Sequence, residues 1–135
     1  MKPTDSIGSP KDGKPKRSRK GQAYRHTPAF ILLFLAREDL YGASLLQVMQ
    51  RELPCYAADT AAVYRALQDL ETRGAVRSYW ETDISGPARK WYRITDKGFE
   101  QLAELKQDIE MRMRNFESFI ELYEKITANV SGPDS

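Results

Sequence analysis

"TAAVYRALQDLETRGAVRSYWETDISGPARKWYRITDKG", residues 60 to 98, is the stretch from which the fold can be read. Val63, Leu67 and Leu70 recur at i, i+4 and i+7, one face of an α-helix, and Gly74 supplies a C-terminal stop. Asp59 or Thr60 can cap the start, so the spacing predicts a helix over about 60–73. Two runs follow, "AVRSYWE" and "ARKWYRI", rich in Val, Tyr, Trp and Ile and separated by the turn cluster "TDISGP". They predict a β-hairpin with 84–88 near its tip. Side chains alternate along a strand, so Trp91 and Tyr92 must divide between packing and surface; the sequence leaves open which goes inward.

Upstream, Thr27 and Pro28 signal a helix start, a hydroxyl cap followed by a proline at the first helical position. The helix expected over about 28–38 contains "AFILLFLA" and is apolar nearly all round, which marks burial on several sides. "LYGASLLQVMQREL" places Leu45, Leu46, Val48 and Met49 on one side of a second helix, about 42–52, ended by Pro54. Downstream, Thr95 can cap a long helix over about 96–127. Along it Leu102, Ile109, Phe116 and Tyr123 are spaced by seven, and Leu105, Phe119 and Ile126 fall three residues after members of that series. The fourth such slot holds Arg112, with Met113 beside it. A heptad seam of this kind asks for a partner helix, in part the first helix of the same chain and in part a second copy.

Three helices, a hairpin and a heptad helix make a mainly α (α+β) protein: a winged helix-turn-helix with a two-stranded β wing and a long C-terminal dimerisation helix. The domain division is a disordered basic arm over 1–25, a winged-helix DNA-binding domain over 26–95, the dimerisation helix over 96–127 and a disordered tail over 128–135. The arm carries eight basic residues against Asp5 and Asp12, so the formal charge of +2 conceals a mildly acidic body. Such an arm suits a polyanion, because lysines and arginines bind phosphates by displacing counterions.

Catalysis finds little to stand on. "GPARKW" lacks the second glycine and the Lys-Ser/Thr end of a P-loop, and it joins strand to strand rather than strand to helix. The single Cys55 and single His26 leave no disulfide framework, no cysteine-based zinc cage and almost no material for a nucleophilic triad. We therefore expect a non-enzyme without metal or cofactor, in a reducing, cytoplasmic setting. The longest apolar run is far short of the ~20 residues of a membrane span, so no membrane association is expected.

Nucleic-acid binding has better support. The outer face of the third helix offers Thr60, Tyr64, Arg65 and Gln68, groups that can meet phosphates or base edges in a major groove, and its first free amides could face phosphate. Gly86 shapes the wing turn, Arg89 and Lys90 follow it where a wing would touch backbone, and Arg19 and Lys20 of the arm can add contacts. A dimer formed through Leu102, Leu105, Ile109, Met113, Phe116, Phe119, Tyr123 and Ile126 would present two such surfaces to double-stranded DNA. The rival reading is an interaction adaptor that uses the winged helix as scaffold and the heptad helix for another protein. Five acidic against six basic residues between 59 and 95 keep it open.

These stretches resemble the PadR family of winged-helix transcriptional regulators. The family's helix-three pattern falls on Tyr64, Leu67, Leu70, Glu71, Gly74 and Val76, and its wing pattern on Gly86, Pro87, Lys90, Tyr92, Ile94, Thr95 and Gly98. The resemblance spans about 26–126 and implies a homodimeric DNA-binding regulator, usually a repressor, of the branch with one C-terminal helix. It also implies an effector near the dimer interface, a small molecule or one associated with a polymer, since the extended basic N-terminus, "ILLFL" and "GPA" are similar to the polyhydroxybutyrate-responsive repressors. One departure is that members commonly carry Gly-Thr-Leu-Tyr-Pro where this chain has Ala61-Ala62-Val63-Tyr64-Arg65. Arg65 adds a charge there, so an operator preference does not transfer.

Overall fold

A computed structural model describes residues 26–55, 59–82 and 85–130. Its elements in chain order are α1 (Thr27–Arg37), β1 (Leu40–Tyr41), α2 (Gly42–Glu52), α3 (Thr60–Thr72), β2 (Val76–Glu81), β3 (Arg89–Ile94) and α4 (Asp96–Val130). The basic arm, with Arg19 and Lys20, lies outside the described residues. No helix among the described residues is long and apolar enough to cross a membrane.

The start of α1 differs from expectation. His26, not Thr27, occupies the N-cap and makes no side-chain cap bond, while Thr27 is buried against the core and so cannot serve as a solvent-facing cap. Ile31, Leu32, Phe34 and Leu35 are buried, but Leu33 is 45% exposed, so the helix has one open apolar side. At its far end Arg37 forms a two-pronged pair with Glu52 of α2, at 3.1 and 2.9 Å. Ser44 accepts the Tyr41 N–H at 3.0 Å and donates to the Tyr41 carbonyl at 2.8 Å, fastening the entry to α2.

Asp59 caps α3 by accepting the Ala61 N–H at 3.2 Å. The other end closes as a Schellman turn: Gly74 N–H meets the Glu71 carbonyl and Ala75 N–H the Leu70 carbonyl, with Gly74 at φ 84°. Only glycine takes that conformation without strain, so the α3-to-β2 turn is set by this residue.

The expected two-stranded wing is present as the β2–β3 hairpin, and β1 joins it to make a three-stranded antiparallel sheet in the order β1-β3-β2. β1 adds Leu40 opposite Tyr92 and Tyr41 opposite Trp91. Two residues are too few to show a strand's alternation, and β1 exists only through its pairing with β3. In the hairpin Val76 pairs with Ile94, Ser78 with Tyr92 and Trp80 with Lys90. Tyr92 is the aromatic that goes in, 7% exposed, whereas Trp91 stays half-buried on the outer face.

One core joins α1, α2, α3, Leu40, Ala75, Val76 and Tyr92, with Leu46, Leu53, Ile94, Leu102 and Leu105 packed at its margin. Each fully buried aliphatic side chain contributes about 1.5–3 kcal/mol, so Ile31, Leu32, Leu45, Leu67 and Leu70 dominate the stability. Thr95 attaches α4: its hydroxyl accepts the Gly98 N–H at 3.1 Å and donates to the Gly74 carbonyl at 2.6 Å. From there α4 runs to Val130, three residues into the expected tail.

Candidate nucleic-acid interface

The helix-three candidates share one open face. Thr60, Tyr64, Arg65 and Gln68 are all exposed. Arg65 pairs with no acidic side chain among the described residues, so its guanidinium is unspent. Tyr64 is partly committed, because its ring lies across Gly42 of α2 and a Cβ at Gly42 would overlap it. The helix N-terminus offers less to phosphate than expected. Asp59 already takes one of the first amides and sets a carboxylate beside it, opposing an incoming anion.

The wing separates its two leading cations. Arg89 and Lys90 are neighbours on β3 and therefore point to opposite faces of the wing. Arg89 is exposed on the outer face, its guanidinium 4.8 Å from the centre of the Tyr41 ring. Lys90 is turned toward α3, with Nζ 3.7 Å from Glu71 Oε1 and 5.5 Å from the centre of the Tyr92 ring. Gly86, at φ 102°, bends the tip in open space.

Trp80 was missed as a candidate. It is 60% exposed and sits opposite Lys90, on the face that carries Val76 and Ser78 toward the core. Alternation alone turns Trp80 inward with Val76; it is exposed because it lies toward the wing tip, outside the core cluster.

Arg93 is a structural cation. It donates to Asp39 through Nε and Nη2, and Tyr79 O–H donates to the same carboxylate at 2.5 Å. Trp91 packs edge-on to Tyr41 at 5.0 Å and donates its indole N–H to Glu81 at 3.0 Å. The Arg93 hydrogen bonds, with help from Tyr79 and the charges of Arg93 and Arg77, hold the Asp39 carboxyl below its ordinary value. Asp39 pushes the Tyr79 hydroxyl upward in turn.

A pH dependence follows. The unfolded chain takes up a proton at Asp39 near 3.8 while the folded chain still resists it, so this contribution is complete above that value and fades as pH falls through the lowered folded one. In thermal melts between about pH 5 and pH 2, Asp39→Asn should lose less stability than the wild type. Parallel curves would remove Asp39 as the source.

The α4 candidates fall into two groups. Leu102 and Leu105 pack at the margin of the intrachain core, and Ile109 lines a groove with Phe30 and Leu33 of α1. Met113, Phe116, Phe119, Tyr123 and Ile126 are exposed, joined by Ile120 and Leu122, which the heptad reading passed over. Phe119 and Tyr123 stack on each other at 6.5 Å, leaving their outer sides uncovered.

The model of the transcriptional regulator PadR-like family matches residues 31–104, from within α1 through the sheet to the first turns of α4. The chain belongs to this family. PadR-like proteins are DNA-binding transcriptional regulators rather than enzymes. A solved structure described as a conserved protein of unknown function and potential transcriptional factor is 30% identical. It superposes with a TM-score of 0.67, covering 78% of this chain and 93% of that one. A PadR-like transcriptional regulator from Bacillus cereus is 26% identical with a TM-score of 0.61, covering 73% and 96%. An uncharacterized protein from Lysinibacillus sphaericus is 30% identical over 84 residues, 62% of this chain and 77% of that protein. The PadR-like match covers the sheet, α3 and the Thr95 junction, the parts that place Arg65 and the wing.

Proposed function

We propose that the chain is a homodimeric repressor that binds a palindromic operator, with α3 of each protomer in successive major grooves and an effector that tunes affinity. The uncovered apolar stripe on the distal half of α4 supports this most. Residues 111–130 form about five turns with little cover from the described residues, so this half of α4 gains little from tertiary packing, the usual main source of helix stability in proteins. A second copy buries the stripe and brings two α3 faces to one side of the assembly, so the operator is two inverted half-sites about one helical turn apart. Repression follows where such a site overlaps a promoter.

The groove between α1 and α4, about 540 Å³ and almost wholly apolar, is continuous with the stripe through Ile109. An apolar effector entering it would change how the paired helices meet and so the separation of the α3 faces.

Selection of bound genomic fragments, followed by footprinting, tests this reading. Paired half-sites protected by a species of dimer mass are expected; a lone half-site bound by a monomer would sink it. On the selected operator Arg65→Ala should lower discrimination against base-substituted sites by roughly 10- to 100-fold, the scale of one lost base contact. A uniform loss across sequences would make Arg65 a backbone contact.

A further inference from the structure

We infer that Glu71 sets the sequence discrimination of this surface by holding the wing cation Lys90 back from phosphate until a duplex is correctly seated. The inference rests on the DNA-binding reading and concerns a residue with no expected DNA contact of its own. Glu71 is on α3, in the last turn, and its two carboxylate oxygens serve two strands. Oε2 accepts the Ser78 hydroxyl of β2 at 2.6 Å, and Oε1 faces Lys90 Nζ of β3 at 3.7 Å. One side chain thus ties helix three to both arms of the wing.

The two attachments differ in strength. The Ser78 bond is short and part-buried, and it keeps the carboxylate in place whether or not Lys90 is present. The Lys90 pair is long, with both side chains more than a third exposed, so solvent screens it and it holds only weakly. A phosphate that gains counterion release can displace it; bulk water has little reason to. Arg89 supplies the contrast: it faces the other way, rests on the Tyr41 ring and has no acidic partner among the described residues. Arg89 is available to any duplex, Lys90 only to one whose backbone comes within reach while α3 is seated in the groove.

Loosely held, unmatched DNA should therefore be bound without Lys90, and the operator with it. In the first case the carboxylate, still paired, offsets the attraction of Lys90 for phosphate; in the second it is left behind, still bonded to Ser78. This raises the ratio of specific to non-specific affinity without any base contact.

The test compares the salt dependence of full-length protein on the selected operator and on a scrambled duplex of the same length, by fluorescence anisotropy. Glu71→Gln can still accept the Ser78 hydroxyl, and a thermal melt checks that the fold is kept. On the scrambled duplex it should bind roughly 3- to 10-fold more tightly near 0.1 M salt, with the log–log slope steeper by about 0.9, one added phosphate contact. The operator slope should stay as in the wild type, and adding Lys90→Met should abolish the gain on scrambled DNA. An unchanged scrambled-duplex slope in Glu71→Gln, or a steeper slope that survives Lys90→Met, overturns the inference while leaving the DNA-binding reading intact. Wild-type protein with no salt-dependent binding to either duplex overturns both.

Discussion

Phe116→Glu combined with Phe119→Glu should yield a monomer whose winged helix is folded but whose affinity for the paired operator has dropped by roughly 10²- to 10⁴-fold, the gain that linking two binding modules provides. Both rings are about two-thirds exposed and absent from the intrachain core, so their loss leaves α1, α2, α3 and the sheet untouched. In a dimer each ring would contribute about 1.5–3 kcal/mol, and an unpaired carboxylate buried there costs several more. Light scattering reads the mass, anisotropy on one and on two half-sites reads the linkage, and circular dichroism reads the distal turns of α4. The single half-site should be bound as by the wild type, since the proposed DNA surface lies on α3 and the wing. A double variant that remains dimeric would move the interface elsewhere, most simply to Leu33, Phe99 and the α1–α4 groove.

Local signals carried most of the fold. Leu67 and Leu70 set the phase of α3 and Gly74 its end, because helix periodicity and left-handed backbone are properties of a few adjacent residues. The hairpin was legible for the same reason. β1 was not, since Leu40 and Tyr41 become a strand only when Tyr92 and Trp91 arrive from fifty residues away. The choice of Tyr92 as the inward aromatic was equally out of reach: strand alternation is symmetric, and the packing of α1 against the sheet breaks the tie.

The candidate interface shows the same division. Periodicity grouped Thr60, Tyr64, Arg65 and Gln68 on one face, and the structure keeps them there. Charge partners could not be read, because Glu71 and Asp39 reach Lys90 and Arg93 only through the tertiary fold. Counting Arg89 and Lys90 as equivalent wing cations followed from their adjacency, which in a strand is the relation that separates them. Likewise the heptad count treated Leu102 and Phe116 as equals, although one lies against the core and the other in solvent.

Gly98→Ala should destabilise the protein by about 1–3 kcal/mol, the usual cost of overpacking, and lower its melting temperature by several degrees. The sign is opposite to the ordinary expectation, since alanine within a helix is favoured over glycine by about 1 kcal/mol. Gly98 is buried where the first turn of α4 crosses the α3-to-β2 connection, and an added Cβ would overlap the Ala75 carbonyl oxygen and lie 2.6 Å from Ile94 Cγ1. Neither side can retreat easily. Ala75 is held by its amide to Leu70 and by its carbonyl to the Thr95 N–H at 3.0 Å, and Thr95 is itself fixed to the Gly74 carbonyl. The strain would go into lifting α4 from the sheet, so the variant should also lose operator affinity beyond its loss on a single half-site, as the spacing of the two α3 faces changes. Gly86→Ala is the control: its added Cβ meets nothing within 4 Å, so only the left-handed φ of 102° opposes it, at about 1–2 kcal/mol and without moving α4. Chemical denaturation gives both values. A Gly98→Ala protein as stable as the wild type would mean that α4 does not cross against Ala75, and the geometry that aims the two halves of the proposed dimer would have to be sought at another junction.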